Sequence, residues 1–320
     1  IYSTFMVEDH YIHFFFLGGP DFVVGPQAPA AERNILGVIA KVGLEIAGKV
    51  IKVRQECRDI IRTLGGKVIH PVFGLPGGVS RGMSEEEREQ FLGTAHYAVE
   101  FAQFALQVFD DVVLKNQAYV DLVLSDAYSH RTYYMGLVDE QNKVNFYNGQ
   151  VRVGDPDGHE VAKFAPRAYV DHIREHIEPW SYISFPYLAE IGWQGFVDGP
   201  DSGVYRVAPL ARLNVADGMA TPLAQEAYER MYAVLGGKPV HATLATHWAR
   251  LIEALYAAER MVELLEDPEI TGRHIRNLPT ETPVEGVGIV EAPRGTLIHH
   301  YQTDEQGILT GVSLIVATNH

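Results

Sequence analysis

The sequence predicts an α-rich α+β fold: a bundle of long helices with small antiparallel sheets on its flanks. Three observations carry that expectation. Apolar residues recur every three or four positions over stretches of twenty residues and more. Short runs of β-branched and aromatic residues flank polar turns. The 320 residues are 47% hydrophobic and 21% charged, enough apolar material for a large core.

The first helix spans residues 32–64. Its seam reads Ile35, Ile39, Val42, Ile46, Val50, Val53, Cys57, Ile60, Leu64, all on one face, and Gly65-Gly66 offers a C-terminal stop. A second long helix opens at Ser84, which forms a Ser-x-x-Glu capping box with Glu87. Its seam of Phe91, Ala95, Ala98, Ala102, Ala105, Phe109 and Val112 is small in the middle, so another helix can approach closely. A third begins at Thr221-Pro222 and ends at Gly236-Gly237. The fourth carries Leu244, Trp248, Leu251, Leu255, Ala258, Val262 and Leu265 on one face, and Asp267-Pro268 stops it.

Residues 132–138 and 143–147 flank Asp139-Glu140-Gln141-Asn142 and read as a hairpin, with a short strand near 151–153 extending it. Residues 204–207 add a short strand. Residues 296–302 and 308–316 flank a polar turn at Gly307, and 149–158 and 195–203 are loops. There is no internal repeat and no obvious linker, so 1–320 reads as a single, incomplete domain.

A net charge of -15 disfavours a nucleic-acid backbone or an anionic membrane surface as partner. No run approaches the roughly 20 apolar residues of a membrane span, and no signal peptide is visible. One cysteine, Cys57, excludes an internal disulfide and a cysteine metal cage. The chain opens on Ile1 rather than Met and stops within an alternating apolar run, so it reads as a fragment.

Several segments bear chemistry. Asp9, His10 and His13 place an acid and two imidazoles beside Phe14-Phe15-Phe16, a dry setting suited to proton transfer. His70-Pro71-Val72-Phe73-Gly74-Leu75-Pro76-Gly77-Gly78-Val79 is a rigid connection between helices. Tyr205-Arg206-Val207-Ala208-Pro209-Leu210-Ala211-Arg212 offers Arg212 as a structural partner for a buried carboxylate. Glu291-Ala292-Pro293-Arg294-Gly295-Thr296-Leu297-Ile298-His299 holds a guanidinium between a rigid Pro and a permissive Gly. Leu314-Ile315-Val316-Ala317-Thr318-Asn319 follows as a terminal strand.

Taken together these segments resemble the large, catalytic subunit of [NiFe] hydrogenases. Segments such as Gly19-Pro20-Asp21-Phe22 look most like the cytoplasmic coenzyme F420-non-reducing, methyl viologen-reducing type. The resemblance implies reversible oxidation of H2 to protons and electrons at a NiFe(CN)2CO centre. Electrons would leave through the iron-sulfur clusters of a separate small subunit, then through further electron-transfer subunits. It implies that Arg294 and Asp9 are catalytic residues over the centre, with Asp9 holding Arg294. Pro293, Arg294 and Thr318 would line the cofactor, Arg294 and Thr318 donating to its cyanides. His10, His13, His70 and His299 would be supporting. Ala208 stands where the family has Gly.

The same resemblance requires four thiolates in two Cys-x-x-Cys motifs, and neither is present. The expectation is that both lie outside these residues and that the fragment alone binds no metal and is inactive. A metal-free relative, such as the quinone-site subunit of respiratory complex I, is the rival reading. A zinc hydrolase is another, since His172-Ile173-Arg174-Glu175-His176 matches His-x-x-Glu-His on a helical turn. A helical scaffold is the third.

Overall fold

The computed structural model describes all of residues 1–320. In chain order the helices are α1 (Tyr2–Tyr11), α2 (Ile35–Val42), α3 (Leu44–Gly65), α4 (Glu85–Phe109), α5 (Gln117–Val123), α6 (Tyr169–His172), α7 (Pro209–Val215), α8 (Pro222–Leu235) and α9 (Thr246–Glu266). The strands are β1 (Gly74–Leu75), β2 (Gly78–Val79), β3 (Tyr133–Val138), β4 (Gln150–Gly154), β5 (Glu160–Phe164), β6 (Ile173–Ile177), β7 (Ser184–Leu188), β8 (Tyr205–Arg206), β9 (Glu285–Ala292), β10 (Gly295–Thr303) and β11 (Leu309–Ile315). The chain forms two compact units. One is Ile1–Leu122 with Arg250–Thr280, and the other is Val123–Ala249 with Glu281–His320.

The first unit is helical. From Val50 onward the seam foreseen for α3 is buried: Val50, Val53, Cys57, Ile60 and Leu64 face inward. The single helix expected over 32–64 is two, because Gly43 takes φ 86° and ends α2 there. Asn34 caps α2, its side-chain oxygen accepting from the Leu36 and Gly37 amides. Gly66 closes α3 in the left-handed conformation. The capping box forms: Ser84 accepts from the Glu87 amide at 3.1 Å, and Glu87 accepts from the Ser84 amide at 3.0 Å.

Helix α1 runs into π-helical turns over Ile12–Gly18 and Pro20–Val24. These present Phe14 and Phe15 to Phe101 and Phe109 of α4 in tilted ring contacts. Glu8 of α1 pairs with Arg54 of α3 at 2.7 Å and Arg58 at 3.4 Å. Within the first unit α9 is buried on nearly every side, its Leu251, Ile252, Ala254, Leu255, Ala257 and Ala258 lying inside together with the charged Arg250, Glu253 and Glu259.

The second unit holds a four-stranded sheet in the order β5-β4-β3-β8, a three-stranded sheet β11-β10-β9, and the hairpin β6-β7. Tyr133, Met135 and Leu137 of β3 join Val151, Val153, Phe164, Ile289, Ile298 and Ile315 in one core. The opposite face of β3 meets α7, where Tyr134 packs on Ala211 and Val215.

The hairpin expected between 132–138 and 143–147 is different. Strand β3 pairs with β4, and 143–147 forms no strand, only the isolated bridges Val138 to Val144 and Lys143 to Gly218. Local polar bonds explain this. Asp139 accepts the Gln141 and Lys143 amides, and Asn145 accepts those of Tyr147 and Asn148, so these donors are withdrawn from any ladder. The sequence pattern predicts no strand at β1, β2, β5, β7 or β9, all of which the structure contains. The segment holding His172 and His176 also differs, since Ile173–Ile177 is strand rather than helix.

Candidate active site

The Pro293-Arg294 pair is the two-residue tip of the β9–β10 hairpin, with Ala292 facing Gly295 across it. Gly295 adopts φ 152°, and a Cβ there would lie 2.2 Å from Val207 Cγ2 and 2.7 Å from the Ala317 carbonyl oxygen. Only glycine fits such a place. This junction brings three of the sequence segments together, those around Val207, Gly295 and Ala317.

Beneath the turn lies a buried ion pair. Arg212 Nη1 donates to Glu291 Oε2 at 2.8 Å and to the Ala292 carbonyl at 3.0 Å, and Nη2 donates to the Pro293 carbonyl at 3.4 Å. Glu291 Oε1 accepts from the Leu137 amide at 2.8 Å and from Thr296 Oγ1 at 3.0 Å. Burial pushes the Glu291 carboxyl above its ordinary range, opposed by Arg212 and these donors. Gly136 of β3 makes the approach of Arg212 possible. A Cβ on it would stand 2.9 Å from Arg212 Cγ and 3.0 Å from Arg212 Cα.

Helix α7 starts from Ala208 at φ 80°, ψ -179°. That region is essentially reserved for glycine. The sequence flagged this position through its departure from the family's Gly, and the backbone gives the physical consequence.

Within the turn, Pro293 and Gly295 are buried and Arg294 is exposed. Thr318 is exposed just after β11, beside the buried Ala317. His299 is half-buried, with Nδ1 2.8 Å from the Tyr301 hydroxyl. His300 stands 3.0 Å from both the Tyr169 hydroxyl and Glu285.

In the first unit Asp9 and His10 are buried near the end of α1, and His13 is half-buried in the π-helical turn that follows. His10 Nε2 lies 3.0 Å from Glu253 Oε2, and its Nδ1 lies 3.4 Å from Arg250 Nη1. A donor at Nδ1 and a carboxylate at Nε2 select the Nε2-protonated tautomer. His70 is exposed, with φ 53°, in the connection after α3.

The donors for a nickel-iron centre do not fit this chain alone. Cys57 is buried in the α3 seam, and burial, with Glu8 adding, raises its thiol far above the ordinary range, so it is no thiolate. No group of three or more His, Cys, Asp or Glu side chains is placed to hold a metal ion. The zinc reading fails on geometry. His172 stacks on Phe164 at 4.2 Å, while His176, four residues along an extended strand, stacks on Trp193 at 4.4 Å.

The profile described as Nickel-dependent hydrogenase matches residues 48–318. This chain belongs to the nickel-dependent hydrogenase family. It is 50% identical over 315 residues to an F420-non-reducing hydrogenase iron-sulfur subunit of Archaeoglobus profundus, covering 98% of this chain and 64% of that protein. It is 39% identical to the beta chain of the NAD-reducing hydrogenase HoxS of Cupriavidus necator, covering 98% and 63%. A crystal structure of an NAD+-reducing [NiFe]-hydrogenase in the H2-reduced state superposes with a TM-score of 0.90 at 34% identity, covering 100% of this chain and 68% of that one. The Ni-Fe-Se hydrogenase of D. vulgaris Hildenborough matches at TM-score 0.71 and 18% identity, covering 99% and 70%, a likeness of fold.

The α-rich α+β hydrogenase large-subunit fold expected from the sequence is therefore the one observed. The chain spans just under two thirds of the first of these relatives. What the sequence reading missed is the identity of the carboxylate under the turn. Glu291 stood inside the quoted motif, and the clue was its alternation with Val287 and Ile289 on the inward face of an unrecognised strand.

Proposed function

We propose that this chain is the central part of the catalytic subunit of a [NiFe] hydrogenase of the F420-non-reducing, methyl viologen-reducing class. The reaction is reversible oxidation of H2 to two protons and two electrons. One observation carries the reading: 50% identity across 98% of the chain to a protein named as part of an F420-non-reducing hydrogenase. The cysteine ligands of the centre would come from parts of the longer subunit that these residues do not span. Electrons would pass to an iron-sulfur small subunit, then on to further electron-transfer subunits. No helix here is long and apolar enough to cross a membrane, and we assign the complex to the cytoplasm on the resemblance to that class.

In this reading the chain's own residues furnish surroundings. Arg294, at the exposed tip of a turn fixed on both flanks, offers a permanent cationic donor to an anionic ligand or to the reacting hydrogen. Thr318 offers a hydroxyl donor, Pro293 stiffens the tip, and Asp9 contributes a buried carboxylate to the same chemistry. His10, His13 and His299 support these groups.

The test uses the full-length subunit, matured and assembled with its partners, assayed for H2-dependent reduction of methyl viologen. Wild-type activity is expected. Arg294→Lys should lower turnover at least tenfold while nickel content stays at the wild-type level. A wild-type complex without hydrogen oxidation would overturn the assignment, and an Arg294→Lys complex with undiminished turnover would overturn the role of Arg294.

A further inference from the structure

We infer that Arg212 is a positioning residue for Arg294, acting through the turn backbone rather than by touching anything that reacts. The inference rests on the role proposed for Arg294. Arg212 reaches three oxygens of three consecutive residues: Glu291 Oε2 at 2.8 Å, the Ala292 carbonyl at 3.0 Å and the Pro293 carbonyl at 3.4 Å. The last of these belongs to the peptide unit that carries the Arg294 nitrogen. Fixing that carbonyl fixes the plane from which the Arg294 side chain departs. On the other side of Arg294, Gly295 is pressed against Val207 and Ala317. Both peptide neighbours of Arg294 are thus held, and the one exposed member of the turn is Arg294 itself.

The position calls for a fork. A planar guanidinium divides the three acceptors between two rigidly spaced nitrogens, Nη1 for Glu291 and Ala292 and Nη2 for Pro293, whereas an ammonium on a flexible stem meets them from one atom. Glu291 completes the device, since it ties the same guanidinium to Leu137 of β3 and Thr296 of β10. The turn is therefore referenced to two sheets at once. Misplacement by an ångström costs on the order of 100-fold in rate where a group must be aimed.

The decisive experiment is Arg212→Lys in the full-length subunit within its complex. Expected are a fall of at least tenfold in turnover per bound nickel, an unchanged KM for H2, and amide hydrogen exchange at Arg294, Gly295 and Thr296 at least tenfold faster, with β3 and β4 unaffected. Should the Lys variant fail to assemble, Arg212→Met/Glu291→Leu removes both charges and keeps an apolar core. The same local result is expected of it. Wild-type exchange at the turn, or exchange that rises uniformly through the second unit, overturns the inference and leaves Arg212 a packing residue. If the wild-type complex oxidises no hydrogen, the proposed function fails by itself, and the exchange comparison still decides whether Arg212 sets the turn.

Discussion

Arg212 and Glu291 meet at 2.8 Å with neither side chain exposed to solvent. They come from α7 and β9, 79 positions apart in sequence. Desolvating two charges is expensive, and their attraction offsets that cost only when the remaining donors and acceptors are also satisfied. Here they are. Glu291 takes the Leu137 amide and the Thr296 hydroxyl, and Arg212 takes two turn carbonyls.

Breaking the pair from one side should be far worse than deleting it. Glu291→Leu or Arg212→Met alone leaves a buried charge without its partner and is expected to cost about 3–5 kcal/mol. The double variant replaces both with apolar groups and should cost clearly less than the sum of the two. Urea unfolding of the four proteins closes the cycle. Singles that each cost under about 1 kcal/mol would show that the pair does not anchor the hairpin.

The strained start of α7 gives a prediction of the opposite sign. Ala208 sits at φ 80°, ψ -179°, where an L side chain carries a cost of about 1–3 kcal/mol. Ala208→Gly relieves it and gives back part of the gain through a more flexible unfolded chain. We expect a net stabilisation of about 1 kcal/mol, seen as a higher urea midpoint with an unchanged m-value. A lower midpoint would mean that the Ala208 methyl contributes more by packing than it costs by strain.

What the sequence disclosed and withheld follows from the range of each signal. Helix ends are local, so Ser84 with Glu87, Gly66, Thr221-Pro222 and Asp267-Pro268 marked real boundaries. Gly43 carries no distinct boundary signal, because a single glycine inside a helical pattern is often tolerated. Strand partners are set at a distance, so β3 found β4 rather than the nearer apolar run at 143–147. Glycines at 286 and 288 disguised β9. The Pro-Arg-Gly segment was visible as a motif, and its seat was not. Val207 and Ala317 press on Gly295, and Arg212, packed on Gly136, reaches the turn from another part of the chain. The helical reading of His172 to His176 failed for the same reason, since antiparallel pairing with β7 overrode local pattern.

Lys238 supplies a pH dependence that can be signed in advance. Its ammonium donates to the Ala216 carbonyl and to the Tyr228 hydroxyl, beside the rings of Tyr228 and Tyr232. Burial of that end lowers its pKa from 10.5 to about 8, with Asp217 opposing the shift and Arg152 and Lys143 adding to it. Between those two values the unfolded chain holds a proton that the folded chain has released. Stability at this site therefore rises with pH from about 8 to 10.5, and the penalty for the charged form is fully present below 8. Lys238→Met removes this contribution. Its stability relative to wild type should be greatest near neutrality and should decline as pH climbs through that window, other groups being common to both proteins. Urea midpoints at pH 7, 8, 9 and 10 decide it. A difference that stays flat, or that grows with pH, would mean that the two tyrosines and the Ala216 carbonyl hold the amine charged and that desolvation is not the dominant influence.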